Sequence, residues 1–210
     1  MCIVPQPDPQ QLLTEARKEP DAALGQLLQL YGNYLRLLAA AQLDVKLRAR
    51  VSPSDVVQET FLEAHRDFPQ FRGESEREFL AWLRRILANN LARLVERHIL
   101  AEKRAVQREV SLERMGAAIE RSTARLDAVL ADEAASPSSS ASRREYAVIL
   151  ADQLAEMRPE YREVIVLRHL EGLPFKDVAE RTNRTEGAAR MLWLRAINRL
   201  RQQLDALGID

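Results

Sequence analysis

The chain has 210 residues, of which 46% are hydrophobic and 30% charged, a balance that suits one or two small domains with real cores. Lys+Arg and Asp+Glu both total 31, so the net charge does not by itself indicate a nucleic-acid binder. The single cysteine excludes an internal disulfide, and no Cys/His cluster has the spacing of a zinc site. A start without a signal-peptide pattern, and the lack of an apolar run of about 20 residues, predict a cytoplasmic protein with no membrane insertion.

The composition predicts an all-α fold, because Leu, Ala, Arg and Glu dominate and aromatic residues make up only 5%. The pattern along the chain divides it into four segments. They are a tail at 1–24, a helical domain at 25–99, a flexible linker at 100–143 and a second helical domain at 144–207.

The first domain begins with two predicted amphipathic helices. One helix carries apolar residues at helical spacing, namely Leu27, Leu28, Tyr31, Tyr34, Leu35 and Leu38. Ser52 is suited to cap the next helix, with Pro53 in the first turn and Asp55 placed for a capping box. The inner face of this helix carries Val57, Phe61, Ala64 and Phe68. Its outer face is an acidic stripe with one apolar member, made of Asp55, Gln58, Glu59, Leu62 and Glu63.

A turn at 69–75 separates that helix from a longer one, FLAWLRRILANNLARLVER, at 79–97. Its apolar face predicts core packing by Phe79, Leu83, Leu87, Leu91 and Leu94. Another face repeats polar residues every four positions, at Arg85, Asn89, Arg93 and Arg97. Arginines hold phosphates, and amide and aromatic side chains receive unstacked bases. Trp82 lies one turn before Arg85, and both core packing and a base contact remain open for it.

The predicted linker contains two kinds of sequence. Residues 111–133 have a weak helical pattern, whereas the low-complexity run SPSSSAS at 136–142 has no evident reason to fold. The segment is longer than a tether needs, and its helix is either a regulatory element or a spacer.

Residues 173–200, LPFKDVAERTNRTEGAARMLWLRAINRL, fit a helix-turn-helix. The first helix is predicted at 174–181, with Phe175, Val178 and Ala179 facing inward. Asn183 suits the turn because asparagine tolerates the left-handed backbone conformation. Thr185 is predicted to cap the second helix, whose core-facing residues are Ala189, Trp193, Ala196 and Leu200.

The outer face of this second helix carries Arg190, Met191, Leu194, Arg195 and Asn198. In a DNA-binding motif of this kind the second helix enters the major groove, where arginine bonds to guanine O6 and N7. A helical hairpin with a solvated basic face is the alternative. Six arginines against one acid across 181–201 favour the DNA-binding interpretation.

Taken together, three blocks of the sequence resemble the extracytoplasmic-function sigma factors, which are minimal members of the sigma-70 family of bacterial RNA polymerase sigma factors. The blocks are DVVQETFLEAHRDFPQFRG at 55–73, FLAWLRRILANN at 79–90 and the segment at 156–201, in the family's order. The resemblance implies a sigma region 2-like domain at 25–99 and a sigma region 4-like domain at 144–207. It also implies a protein without cofactor or catalytic residues that directs promoter recognition, DNA melting and transcription initiation.

The resemblance further implies three sets of contacts. The clamp helices of the largest subunit of core RNA polymerase would contact Asp55, Gln58, Glu59, Leu62 and Glu63. The minus-ten element of promoter DNA would contact Phe71, Arg72, Trp82, Arg85, Asn89 and Arg93, and Gly73 would help to shape the pocket for a flipped base. The minus-thirty-five element would contact Arg184, Thr185, Arg190, Met191, Leu194 and Arg195. Arg184 and Trp193 depart from the family's usual aliphatic and smaller core residues. Many members are held inactive by an anti-sigma factor, so the resemblance makes such a protein a candidate partner.

Other functions remain open at the level of sequence. A helix-turn-helix repressor or activator would bind duplex DNA without polymerase, and an adaptor would bind polymerase without melting DNA. An enzyme is not expected, because the chain has no Gly-rich phosphate loop, metal spacing or nucleophile–base pair. His65, His98 and His169 are isolated on predicted helices, which favours surface or packing roles.

Overall fold

The computed structural model describes residues 8–43, 47, 50–99, 108–131 and 140–207. Within these ranges the regular elements are helical, which confirms the predicted all-α fold. In chain order they are α1 (Pro9–Ala16), α2 (Pro20–Leu30), α3 (Gly32–Gln42), α4 (Pro53–Asp67), α5 (Glu76–Ile99), α6 (Arg108–Ala131), α7 (Ser140–Glu156), α8 (Pro159–Ile165), α9 (Phe175–Arg181) and α10 (Glu186–Asp205). A 3₁₀ turn at Phe68–Gln70 follows α4, and a π-helical stretch at Val166–Leu170 continues α8.

Helices α1 to α5 form the first helical body. The apolar face predicted for α5 is confirmed, since Phe79, Leu83, Leu87, Leu91 and Leu94 are all buried. This face lies among α1, α3, α4 and α6, all of which contact α5. Burial of an apolar stripe against several neighbours is the main source of stability for a helix of this kind.

The capping box predicted for α4 is confirmed. The Ser52 Oγ accepts a hydrogen bond from the Asp55 backbone N–H at 3.1 Å, and the Ser52 N–H donates to Asp55 Oδ2 at 3.3 Å. Pro53 occupies the first turn, where its missing N–H costs nothing. The start of α4 is therefore fixed by local chemistry, which sets the rotation of its acidic face.

The predicted first helix is in fact two helices. All six of its listed apolar residues are buried, but the chain leaves the helical conformation at Tyr31, where φ is −96° and ψ is 2°. Gly32, a poor helix former, follows directly. The break lets α2 and α3 place their apolar faces in different directions while both contribute to one core.

The segment predicted as an N-terminal tail, residues 1–24, contains α1 and the start of α2 in the part that the structure describes. Asp8 accepts a hydrogen bond from the Gln10 N–H at 2.9 Å and so caps α1. Leu12, Leu13 and Ala16 are buried against the rest of the first body. A helix of eight residues is too short to be stable alone, so the burial of these three residues holds it in place.

The predicted linker, residues 100–143, contains a long helix. The helical pattern at 111–133 is confirmed over its described residues, 111–131, because α6 spans Arg108–Ala131. Residues 136–139 of the serine-rich run lie outside the described residues, but its last residues belong to α7, which begins at Ser140. Once the later turns of α7 are anchored by burial, adding a further turn costs little, and the helix therefore extends beyond the domain boundary predicted at 144.

Helices α7 to α10 form the second body, in which α10 contacts α7, α8 and α9. Gly172, with φ of +73°, follows the π-helical stretch in the left-handed conformation typical of a glycine at a helix end. Helix α6 contacts both bodies, through α3 and α5 on one side and through α7 and the π-helical stretch on the other. The described parts of the two bodies are thus joined through α6 and also directly, since α3 contacts α7 and the π-helical stretch.

Candidate nucleic-acid and protein interfaces

The outer face of α4 is acidic with an apolar centre. Asp55, Gln58 and Glu59 are exposed, and Leu62 is 73% exposed, the highest value among the exposed large hydrophobic residues of the described chain. A leucine this exposed next to carboxylates is unfavourable to duplex DNA and suitable for a protein partner. The structure brings these four predicted polymerase-contacting residues onto one surface.

Glu63, the fifth predicted residue of that face, has a different environment. Its side chain is only 13% exposed and forms an ion pair with Arg93 of α5, with Glu63 Oε1 2.8 Å from Arg93 Nη1. A second hydrogen bond joins Arg93 Nη2 to Glu63 Oε2 at 3.3 Å. The pair therefore joins Glu63, predicted to contact polymerase, to Arg93, predicted to contact minus-ten DNA. It also links α4 to α5.

The polar face of α5 is less uniform than its sequence. Arg85 is exposed, Asn89 is half-buried, and Arg93 holds Glu63. Arg97 lies next along the row and donates from Nε to the Arg93 carbonyl at 3.3 Å. The neighbouring Asn90 is buried and donates to the Thr60 hydroxyl at 3.3 Å, so of these two asparagines Asn89 is the one that solvent reaches.

Trp82 packs in an aromatic cluster, here defined as Phe68, Phe71, Phe79 and Trp82. Its ring centroid is 5.0 Å from that of Phe71 and 5.7 Å from that of Phe79. Aromatic pairs at these separations contribute beyond their buried area. Trp82 is nevertheless half-buried, so part of the indole stays at the surface beside Phe71, which is also half-buried.

The loop at 71–75 is held by hydrogen bonds to its backbone. The Glu78 carboxylate accepts from the Glu74 N–H at 2.8 Å, the Ser75 N–H at 3.0 Å and the Ser75 hydroxyl at 2.8 Å. The bond from the Ser75 hydroxyl, followed by the two backbone bonds, lowers the pKa of Glu78 below its ordinary value of 4.5. Gly73 packs so closely that an added Cβ would lie 2.7 Å from Glu78 Cβ.

Helix α1 also contacts this loop, and the sequence pattern did not predict these contacts. Gln10 donates from Nε2 to the Glu74 carbonyl at 2.8 Å and accepts from the Glu76 N–H at 3.1 Å. Arg17, at the end of α1, donates to the Gly73 carbonyl. Arg72 is exposed and donates to the Pro69 carbonyl at 3.1 Å. A glutamine more than sixty positions earlier in the chain gives no periodic signal for such a contact.

The helix-turn-helix is confirmed in its backbone geometry. Asn183 has φ of +52°, and the Thr185 hydroxyl accepts from the Ala188 N–H at 3.2 Å to cap α10. Val178, Ala179, Ala189, Ala196 and Leu200 are buried as predicted, whereas Phe175 and Trp193 are half-buried. All six residues predicted for minus-thirty-five DNA are exposed, namely Arg184, Thr185, Arg190, Met191, Leu194 and Arg195.

Trp193, which departs from the family's pattern, is fitted into the second body by His169. The Trp193 indole N–H donates to His169 Nε2 at 2.9 Å, and the two rings stack with centroids 5.9 Å apart. His169 therefore has a packing role, as its isolated position suggests. Phe175 meets Trp193 edge-on at 5.6 Å, and the Arg190 guanidinium lies 5.1 Å from the Phe175 centroid.

A metal site and a membrane-spanning helix are two further features to consider for the described residues. In that part of the chain no group of three or more His, Cys, Asp and Glu side chains is arranged to hold a metal ion. No helix there has both the length and the apolar character needed to cross a membrane.

Comparisons with known proteins match both helical bodies. The family model for sigma-70 region 2 matches residues 30–99, and that for sigma-70, region 4 matches residues 147–200. The RNA polymerase sigma factor CarQ of Myxococcus xanthus is 31% identical over 156 residues, which cover 74% of this chain and 76% of that protein. The ECF RNA polymerase sigma-E factor of Haemophilus influenzae is 29% identical over 153 residues, covering 73% and 75%.

Solved structures with a similar chain include a complex of CnrH with the cytosolic domain of CnrY. The match has 24% identity and a TM-score of 0.35, covering 95% of this chain and 99% of that one. A second is the RsbN-BldN complex, with 22% identity, a TM-score of 0.31 and coverage of 92% and 99%.

Proposed function

Because this chain belongs to the extracytoplasmic-function group of the sigma-70 family and has a sigma factor's role in transcription initiation, we propose that it binds core RNA polymerase, recognises two promoter elements and holds the melted strand. The observation that carries the proposal is the separation of two unlike surfaces. An acidic face with an exposed leucine lies on α4, and a basic face lies on α10 in the other helical body.

The α4 face supports a protein partner rather than DNA. Asp55 and Glu59 would repel the phosphates of DNA. Leu62 offers exposed apolar area, and its burial against a protein partner would be favourable. We assign this face to the clamp helices of the polymerase's largest subunit. Glu63 contributes indirectly, because its ion pair with Arg93 fixes α4 against α5.

The minus-ten surface combines the loop at 71–75 with the polar face of α5. Arg85 and Arg72 are exposed cations for phosphates, and Asn89 is accessible for a base edge. Phe71 and Trp82 each keep part of a ring at the surface, where an unstacked base can rest against it. The aromatic cluster beneath gives this surface a rigid floor.

The minus-thirty-five surface is the outer face of α10. Arg190 and Arg195 lie one turn or so apart and are both exposed, as bidentate contacts to guanine require. The ring face of Phe175 and the carboxylate of Glu186, 3.2 Å from Arg190 Nη2, hold the Arg190 guanidinium before DNA arrives. Met191 and Leu194 supply exposed apolar contacts for thymine methyl groups.

A duplex-DNA repressor or activator is the competing function. Such a protein would use the α10 face in the same way but has no need of Leu62 at 73% exposure on an acidic face. The two functions therefore differ at α4, which makes Leu62 the residue to test.

The test is reconstituted transcription with purified core RNA polymerase and a promoter library. We expect core polymerase with this chain to open promoters, visible as permanganate-reactive thymines, and the chain alone to open none. Leu62→Asp should weaken association with core about tenfold, equivalent to about 1.4 kcal/mol. Leu207→Asp is the matched control and should leave association with core unchanged. Leu207 is also exposed, at 40%, but it lies beyond α10 and outside the α4 face.

A second variant separates the DNA contacts from the polymerase contacts. Arg190→Ala with Arg195→Ala should remove the preference for the upstream element and leave core binding unchanged. If core polymerase with this chain opens no promoter, while the chain alone binds duplex DNA tightly, the repressor or activator function replaces the one proposed.

A further inference from the structure

Besides the hydrogen bonds that Glu78 accepts, the loop at 71–75 has two attachments that come from different parts of the chain. At one end, the Phe71 ring is packed in the aromatic cluster, 5.6 Å from Phe79. At the other end, the hydrogen bonds of Gln10 reach both the Glu74 carbonyl and the Glu76 N–H. Between these two attachments lies Arg72, whose side chain is exposed.

The contacts from α1 are directed at the backbone of the loop. Gln10 uses both ends of its amide group, one as donor and one as acceptor, and Arg17 donates to the Gly73 carbonyl. Hydrogen bonds to main-chain groups fix the path of a loop whatever side chains the loop carries. Because Gly73 has no Cβ, its backbone can approach Phe71 and Glu78, and the Arg17 contact holds it in that position.

We propose that α1 is part of the minus-ten reader, with Gln10 and Arg17 as positioning residues that hold the loop at 71–75 in the shape that receives the flipped base. The inference rests on the function proposed above and assigns a role to residues outside the surfaces described there. Neither residue touches DNA in this scheme. Both act through the backbone that follows Phe71 and Arg72, at Gly73, Glu74 and Glu76.

The fold does not depend on these two side chains. Gln10 and Arg17 are both exposed, and α1 is anchored by the burial of Leu12, Leu13 and Ala16. Removing the two polar groups therefore leaves α1 docked and releases only the loop. If Gln10 and Arg17 served only the stability of the fold, replacing these two exposed residues would change promoter recognition little.

The test uses holoenzyme reconstituted from core polymerase and the full chain, with a promoter library randomised across the minus-ten and minus-thirty-five elements. Single-round transcripts are sequenced, and the base preference is calculated at every position. We expect Gln10→Ala with Arg17→Ala to lower the preference at the flipped position about fivefold, the factor that one hydrogen bond supplies. Preference at the minus-thirty-five element and affinity for core should not change. Gln11→Ala with Lys18→Ala is the matched control, since both are exposed neighbours.

The ratio of bases distinguishes positioning from loss of folded protein. A smaller active fraction lowers transcription from all library members alike and leaves the preference unchanged. Natural base preference in the Gln10/Arg17 variant would overturn the inference. If the unsubstituted chain yields no transcripts from any library member, the proposed function fails, and the inference fails with it.

Discussion

Glu78 shows how a single residue organises the loop that we assign to the minus-ten element. Its carboxylate accepts three hydrogen bonds from Glu74 and Ser75, and these lower its pKa below 4.5. A carboxylate with a depressed pKa in the folded state stabilises that state above its ordinary pKa. This contribution is lost as the pH falls through the lower, folded pKa.

We therefore expect acid to loosen the loop. In an NMR titration from pH 7 to pH 2, the Glu78 carboxyl carbon should titrate with a midpoint below 4.5, and the Glu74 and Ser75 amide protons should shift with the same midpoint. Glu78→Gln is the control, because it removes the titrating group and should abolish the amide transition in this range. A Glu78 midpoint at or above its ordinary value would show that the three hydrogen bonds are not present in solution.

At the scale of helices, the Glu63–Arg93 pair joins α4 to α5. The geometry is bidentate, which favours a real contribution, but the Arg93 side chain is 52% exposed and solvent screens it. We expect a double-mutant cycle of Glu63→Ala and Arg93→Ala to give a coupling of about 0.5–1 kcal/mol in the free energy of unfolding in urea. A coupling of zero would mean that the pair adds nothing to stability, so that Arg93 can leave Glu63 for DNA at no cost in folding.

The same pair shows what could and could not be read from the sequence. Helical periodicity identified the buried face of α5 and part of that of α4, where Val57 and Ala64 are buried but Phe61 is half-buried and Thr60 is buried in addition. Cap chemistry identified Ser52 and Thr185, because cap signals are local. The periodicity could not show that Glu63 faces Arg93, since that depends on how two helices cross. It also predicted one helix where Tyr31 leaves the helical conformation. Helical periodicity also could not predict the contacts of Gln10 with the loop, because they too depend on how separate elements pack together.

For the whole molecule, the two helical bodies are joined by direct contacts of α3 with α7 and the π-helical stretch and by α6, which contacts both bodies. On one side, Gln42 donates to the Ser122 hydroxyl at 2.8 Å, and Arg84 pairs with Glu120 at 3.4 Å. On the other side, Arg125 donates to the Leu170 carbonyl at 3.0 Å, beside Gly172. A direct hydrogen bond of 2.7 Å from Asn33 to Asp152 adds to these. Each of these polar contacts has a modest net value of about 1 kcal/mol.

This arrangement is too small to reach both promoter elements at once. A compact chain of 210 residues has a radius of gyration of about 17 Å, hence a diameter of about 45 Å. Elements named for positions ten and thirty-five are about 25 base pairs apart, or about 85 Å at 3.4 Å per base pair. If both proposed DNA surfaces act together, the two bodies must separate, so the direct contacts of α3 with the second body and the contacts of α6 on one side must break.

We expect this separation to be measurable by energy transfer between dyes at Lys18→Cys and Gln202→Cys, both exposed positions, after Cys2→Ser removes the single native cysteine. Transfer should be high in the free chain and low in the promoter-bound holoenzyme. Arg125→Ala should lower transfer in the free chain, because it removes the hydrogen bond to Leu170, whereas Arg121→Ala, an exposed neighbour on α6, should not. Equal transfer in the free and promoter-bound states would contradict the opening and would require one body to leave its DNA element.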